Sequence, residues 1–282
     1  MPSLPDMTTP DVAELARAAG SHAHPAVPAP DQGQAALLEC LLRIGDGTLI
    51  LGHRVSEWCG HAPALEEDIA LANVALDLIG QTQLWLGLAA EVEGAGRSAD
   101  DLAFLRDVWD FRNPLLVERP NGDFGHTLMR QFLFDAWHHE FLKAAMGSTD
   151  ARVAEIAAKA SKEVAYHLER SSDLVVRLGD GTAESHRRMQ DAIEALWAYT
   201  GELFAGDAKD VEIAARGILP DPASLRGPWL ATVRAVFDAA TLALPESDFA
   251  HKGGRQGTHT EHLGHLLAQM QFLQRAYPGA SW

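Results

Sequence analysis

Six side chains on four stretches of the chain have the types and rough spacing of a dinuclear metal centre. Asp46 and Asp77 lie 31 residues apart, and Asp135 and Glu163 lie 28 apart. His138 follows Asp135 by one helical turn, and His167 follows Glu163. Carboxylate and imidazole ligands with open metal positions are what oxygen activation by iron or manganese needs. In helix bundles that do this, two helices give one acid each and the other two give an acid-x-x-His pair. Two positions here depart from that pattern. Gly80 stands where a histidine should follow Asp77, and Tyr166 stands where one should follow Glu163. His167 arrives one residue late, a rotation of about 100° on a 3.6-residue helix. Two readings stay open: a working site of Asp46, Asp77, Asp135, His138, Glu163 and His167, or a relic whose polar residues pair with one another. The broken positions favour the relic, with no catalytic residue and no bound metal.

The elements that must carry these residues are helices. Periodicity predicts long helices over about 34–59, 63–94, 123–146 and 150–178, with Pro63 opening the second and Gly179 just past the end of the fourth. Ser98 and Asp101 form a capping pair for a short helix to about 112, and Thr258 and Glu261 form another for a last helix to about 276. Further helices are expected over 183–204, 208–216 and 227–243. The glycines at 45, 47 and 52 inside the first helix imply a close neighbour or a kink. Between Ile69 and Ala90 the only charge is Asp77, so the second helix reads as apolar on almost every side and as the buried centre of the protein. No strand-like alternation appears. The fold class expected is all-α, a ferritin-like four-helix bundle with additional C-terminal helices. Residues 1–33, with six prolines and many alanines, read as a mostly disordered tail with a short helix near 11–19, and 34–282 as a single helical domain.

Composition narrows the function. A formal net charge of -16 excludes a phosphate-neutralising nucleic-acid binder. Asn73, Asp77 and Gln81 interrupt the stretch long enough to span a bilayer, so no membrane segment is expected. Cys40 and Cys59, the two cysteines, suit free thiols in a cytoplasmic protein. His259, His262 and His265 form a stripe near His251 but lack a structural-site partner set. His61 has no nucleophile beside it. The loop 252–257 offers Lys252 and Arg255 to a phosphate or a partner, without the pattern of a phosphate loop.

Five stretches carry a specific resemblance: 49–81, containing SEWCGHAPALEEDIALAN; 132–140, FLFDAWHHE; 162–168, KEVAYHL; 176–181, VRLGDG; and 253–271, GGRQGTHTEHLGHLLAQMQ. They resemble the C-subunit family of the ring-1,2-phenylacetyl-CoA epoxidase, a multicomponent oxygenase of aerobic phenylacetate degradation, over about residues 35–282. The resemblance implies a non-catalytic, ferritin-like structural subunit that stabilises a paralogous catalytic subunit. That partner would hold the di-iron centre and the acyl-CoA. A reductase with FAD and an iron–sulfur cluster would bring electrons from NADPH, and small accessory subunits would complete the system. The competing expectation is a self-sufficient di-iron or di-manganese carboxylate oxidase.

Overall fold

The computed structural model describes residues 31–280; the predicted tail and its short helix lie almost wholly outside them. Helix α1 (Gln32–Ser56) opens on a capping box from Asp31 to Gln34. A tight turn returns the chain as α2 (Leu65–Glu93), which has three acids in its first turn and stops at Gly94 in the left-handed conformation. Pro63 sits outside this helix, because Ala64 is its N-cap. The crossover carries α3 (Ala99–Phe104), capped by Ser98 and Asp101 as expected, a 3-10 turn at Val108–Asp110, and α4 (Leu115–Glu118). Helices α5 (Phe124–Ala145) and α6 (Ala151–Gly179) form the second long hairpin.

The fold is all-α, in keeping with a ferritin-like bundle: α1 lies along α2, α5 along α6, and α2 touches α6. Around this frame pack α7 (Ala183–Leu196), α8 (Ala208–Ala215), α9 (Arg226–Ala239), α10 (Glu261–Met270) and α11 (Phe272–Ala276). The segment expected as one helix over 183–204 breaks after Leu196 into two 3-10 turns. Gly179 is the last residue of α6 rather than a residue beyond it. It is kept small because a Cβ would stand 2.6 Å from the Ala240 carbonyl. Helix α10 is capped at Thr260, not Thr258, and by its backbone geometry alone, and the run expected to reach 276 breaks at Gln271 before α11.

The helices with stretches buried on every side are α1 and α5, not α2: every residue from Cys40 to Gly52 and from Thr127 to Ala136 is buried. Gly45 permits this, since a Cβ there would meet the Leu86 side chain at 2.5 Å. Helix α2 buries one face only, through Leu71, Val74, Leu78, Gln81, Thr82 and Trp85, and leaves Leu65, Ile69 and Leu76 well exposed. Its uniform apolarity has two sources, a core face and an uncovered outer face.

Candidate functional site

Rotation of the helices decides which residues meet at the centre of the bundle. On α5, Asp135 and His138 both point inward and are fully buried. On α6 the inward pair is Val164 and His167, while Glu163 lies at the edge and Tyr166 is 53% exposed. On α2 the inward pair is Leu78 and Gln81; Asp77 keeps 36% of its side chain exposed and Gly80 faces open space. The acid-x-x-His frames expected from Asp77 and Glu163 are therefore each one residue out of register. The frames that face the centre are 78/81 and 164/167, and their acid positions are leucine and valine. His167, which spacing alone turned away, is the histidine that points in.

Asp135 is hydrogen-bonded inside the protein. Its carboxylate accepts from Gln131 Nε2 at 2.6 Å and from Ser171 Oγ at 2.9 Å. Burial pushes its carboxyl up to about 6. His138, tilted against Phe134 and stacked on Trp137, is held neutral by burial, its pKa pushed down to about 3. Neither of its ring nitrogens finds a protein partner, and Gln81 Oε1, Gln131 Oε1 and His167 Nδ1 share that state. His167 Nε2 reaches Asp77 at 2.9 Å, and Gln81 Nε2 donates to Glu163 at 2.8 Å. With the Arg170–Glu67 pair, these contacts zip α2 to α6 along one edge.

Asp46 is far from this cluster in its bonding. It takes the Arg106 guanidinium on both oxygens and the Arg112 backbone N–H at 2.8 Å, tying α1 to the crossover. The α1 residue that faces α2 is Thr48, hydroxyl to hydroxyl with Thr82 at 2.8 Å. Among the described residues no three His, Cys, Asp or Glu side chains stand close enough to hold one metal ion. The donor set does not fit a dinuclear carboxylate centre, because two of its four acid positions are hydrocarbon and a third acid serves an arginine.

The C-terminal candidates are parts of a clasp. Arg255 is buried, with its guanidinium on Asp210 at 2.8 Å and on the Ala205 carbonyl, so the exposed cation of this loop is Lys252. Asp210 also takes Arg43 at 2.7 Å, joining α1 to the loop. Glu202, 1% exposed, accepts from three backbone amides, those of Leu115, Gly253 and Arg255. Glu118 accepts from the Thr260 amide at 2.7 Å and lies 2.8 Å from His259 Nδ1, and His259 Nε2 lies 3.0 Å from the Phe111 carbonyl oxygen. His251 stacks on Tyr199, and His265 is exposed, so the histidine stripe does not converge. His61 contacts only the Cys59 carbonyl through Nδ1. Sequence reasoning missed Glu118, Glu202 and Asp210 because their partners lie far along the chain. The rigid Gly-Gly-Arg-Gln-Gly run was the available signal: a side chain at Gly254 would drive into the Asn113 carbonyl, and Gly257 needs a φ of 84°.

Two comparisons with known proteins agree with this architecture. Residues 7–282 match the family described as "Phenylacetic acid catabolic protein". A relative from Escherichia coli (strain K12), named as the C subunit of 1,2-phenylacetyl-CoA epoxidase, is 50% identical over 241 residues, covering 86% of this chain and 97% of the relative. The chain belongs to the phenylacetic acid catabolic protein family.

Proposed function

We propose that this chain is the non-catalytic structural subunit of a phenylacetyl-CoA 1,2-epoxidase, working in the cytoplasm and stabilising a paralogous catalytic subunit. The observation that carries the reading is the inward frame of α2 and α6. Leu78 and Val164 occupy acid positions and Gln81 a histidine position, while Asp135 is bonded to Gln131 and Ser171. Hydrocarbon cannot ligate iron or manganese, so the di-iron centre and the oxygen chemistry are assigned to the partner. FAD, the iron–sulfur cluster and NADPH belong to the reductase, and accessory subunits complete the system. The relative's name, which makes it one subunit of an epoxidase, supports a place in such an assembly. Within it, this chain contributes a stiff helical body, braced by the Asp46–Arg106 pair and the C-terminal clasp, against which a second bundle can be held in one geometry.

The test is a reconstituted complex in which this chain carries Asp135→Asn and His138→Leu together. Phenylacetyl-CoA-dependent NADPH oxidation is expected within twofold of the unsubstituted complex. A tenfold loss, with thermal unfolding unchanged, would show that the polar centre takes part in the chemistry.

A further inference from the structure

After α9 the chain runs without helix over residues 241–253, and this strap encloses a pocket of about 310 Å³ whose walls all come from residues 197–250. The strap is fixed at both ends. At one, Gln190 brackets Ala243, donating from Nε2 to its carbonyl at 3.2 Å and accepting its amide on Oε1 at 2.9 Å. At the other, the His251 amide donates to the Ala198 carbonyl at 2.8 Å, and the His251 ring stacks on Tyr199. Between them the strap passes Gly201 so closely that a Cβ there would stand 2.5 Å from the Ala250 Cβ. The floor of the pocket is aromatic. Trp229 packs against Phe204 with 4.9 Å between ring centroids and against Trp197 with 5.6 Å. The polar atoms of this floor are already used: Trp229 Nε1 donates to the Leu133 carbonyl, Trp197 Nε1 to the Ser247 carbonyl and Thr200 Oγ1 to the Trp197 carbonyl. What remains is apolar ring surface, suited to a flat ring.

Polar recognition has to come from the rim. Arg226, Leu230 and Arg234 recur at four-residue steps along one side of α9, and Glu246 and Asp248 stand on the strap. Arg226 and Asp248 approach to 3.8 Å and offset one another. Arg234 and Glu246 have no partner among the described residues. An aromatic anion drawn to Arg234 would meet the Glu246 carboxylate, and an aromatic cation drawn to Glu246 would meet the Arg234 guanidinium. A molecule that carries both charges answers both side chains. The pocket lies near the lower end of the range for small-molecule sites, about 300–1,000 Å³, so it suits one ring with a short polar arm and is too small for a nucleotide-bearing thioester. We infer that this pocket is a binding site for a small zwitterionic aromatic molecule, of the chemical class of an aromatic α-amino acid. Its ring lies on the floor of Trp197, Phe204 and Trp229, its carboxylate meets Arg234 and its ammonium meets Glu246. The site shares no residue with the bundle centre, and it stands whether or not the chain serves as a structural subunit.

The experiment is isothermal titration calorimetry of the full chain with three probes that share a ring: L-phenylalanine, phenylacetate, which lacks the ammonium, and phenethylamine, which lacks the carboxylate. L-phenylalanine is expected to bind at least tenfold more tightly than either of the others. Arg234→Gln and Glu246→Gln each remove one charge from an exposed side chain, so thermal unfolding should match the unsubstituted chain. Each should weaken L-phenylalanine binding at least tenfold, and each should shrink the advantage of L-phenylalanine over the probe that lacks the matching charge. Arg177→Gln, an exposed position on α6 outside the pocket, is the control and should leave binding unchanged. No binding of L-phenylalanine up to about 10 mM would overturn the inference. So would binding that both pocket variants leave within twofold of the unsubstituted chain. Phenylacetate or phenethylamine bound as tightly as L-phenylalanine would overturn the zwitterionic class and give the pocket to a singly charged ring.

Discussion

The protein has two buried polar regions, and they differ in how their side chains are held. In the C-terminal clasp each carboxylate is matched: Glu202 serves three amides, Glu118 serves a histidine and an amide, and Asp210 serves two arginines. In the bundle centre His138 has no protein partner for either nitrogen, and two glutamine oxygens nearby are in the same position. The clasp holds the chain together. In the centre, Leu78 and Val164 face inward one residue on from Asp77 and Glu163. The polar residues that matter to the present structure are therefore the ones without metal-site spacing.

The sharpest way to break this comparison is Glu118→Ala. It leaves His259 Nδ1 and the Thr260 amide unpaired in a closed site and is expected to cost about 3–5 kcal/mol in denaturant unfolding. A loss below about 1 kcal/mol would remove the clasp's standing.

The centre should show itself in pH dependence. Asp135 is raised from 3.8 to about 6, so its neutral burial helps the fold below pH 3.8, and that help is lost as pH rises through about 6. The shift of about two units corresponds to about 3 kcal/mol at most. His138 is lowered from 6.5 to about 3, so its contribution is full above pH 6.5 and is lost as pH falls towards 3. Between pH 4 and 6 the two slopes oppose. Asp135→Asn should make stability rise more steeply with pH over that range, and His138→Leu should make it fall; urea titrations at several pH values read both. Unchanged slopes in both variants would mean that the centre is not dry.

A smaller effect is expected from Gly254→Ala, which forces a methyl group against the Asn113 carbonyl and should cost roughly 1–3 kcal/mol. The smallest belongs to His138→Leu at pH 7. Replacing a buried imidazole by a hydrocarbon of similar size should change stability by no more than about 1 kcal/mol. A loss larger than the clasp's would invert the comparison.

Much of the architecture was legible in the residues. The four long helices, their order, the Ser98–Asp101 cap and the inward pair Asp135 and His138 follow from periodicity and spacing. Absolute rotation did not follow. A helix such as α2, apolar on both its buried and its exposed sides, carries no mark of which side faces in, so Asp77 and Gly80 read as interior when Leu78 and Gln81 hold that place. On α6, Tyr166 and His167 are adjacent in the chain, and only packing against α5 chooses between them. The clasp was illegible for another reason: Glu202 meets Gly253, and Arg43 meets Asp210, across long stretches of chain with no local pattern. The glycines of the 252–257 loop serve close backbone approach.

The most direct test of the central claim, that this chain lends structure while another carries the metal, is iron per chain. The purified protein alone would be loaded anaerobically with Fe(II), desalted and measured by mass spectrometry of the metal. The expected result is iron near zero. Iron at about two per chain, the occupancy of a dinuclear carboxylate centre, would contradict the claim and make this subunit an oxidase in its own right.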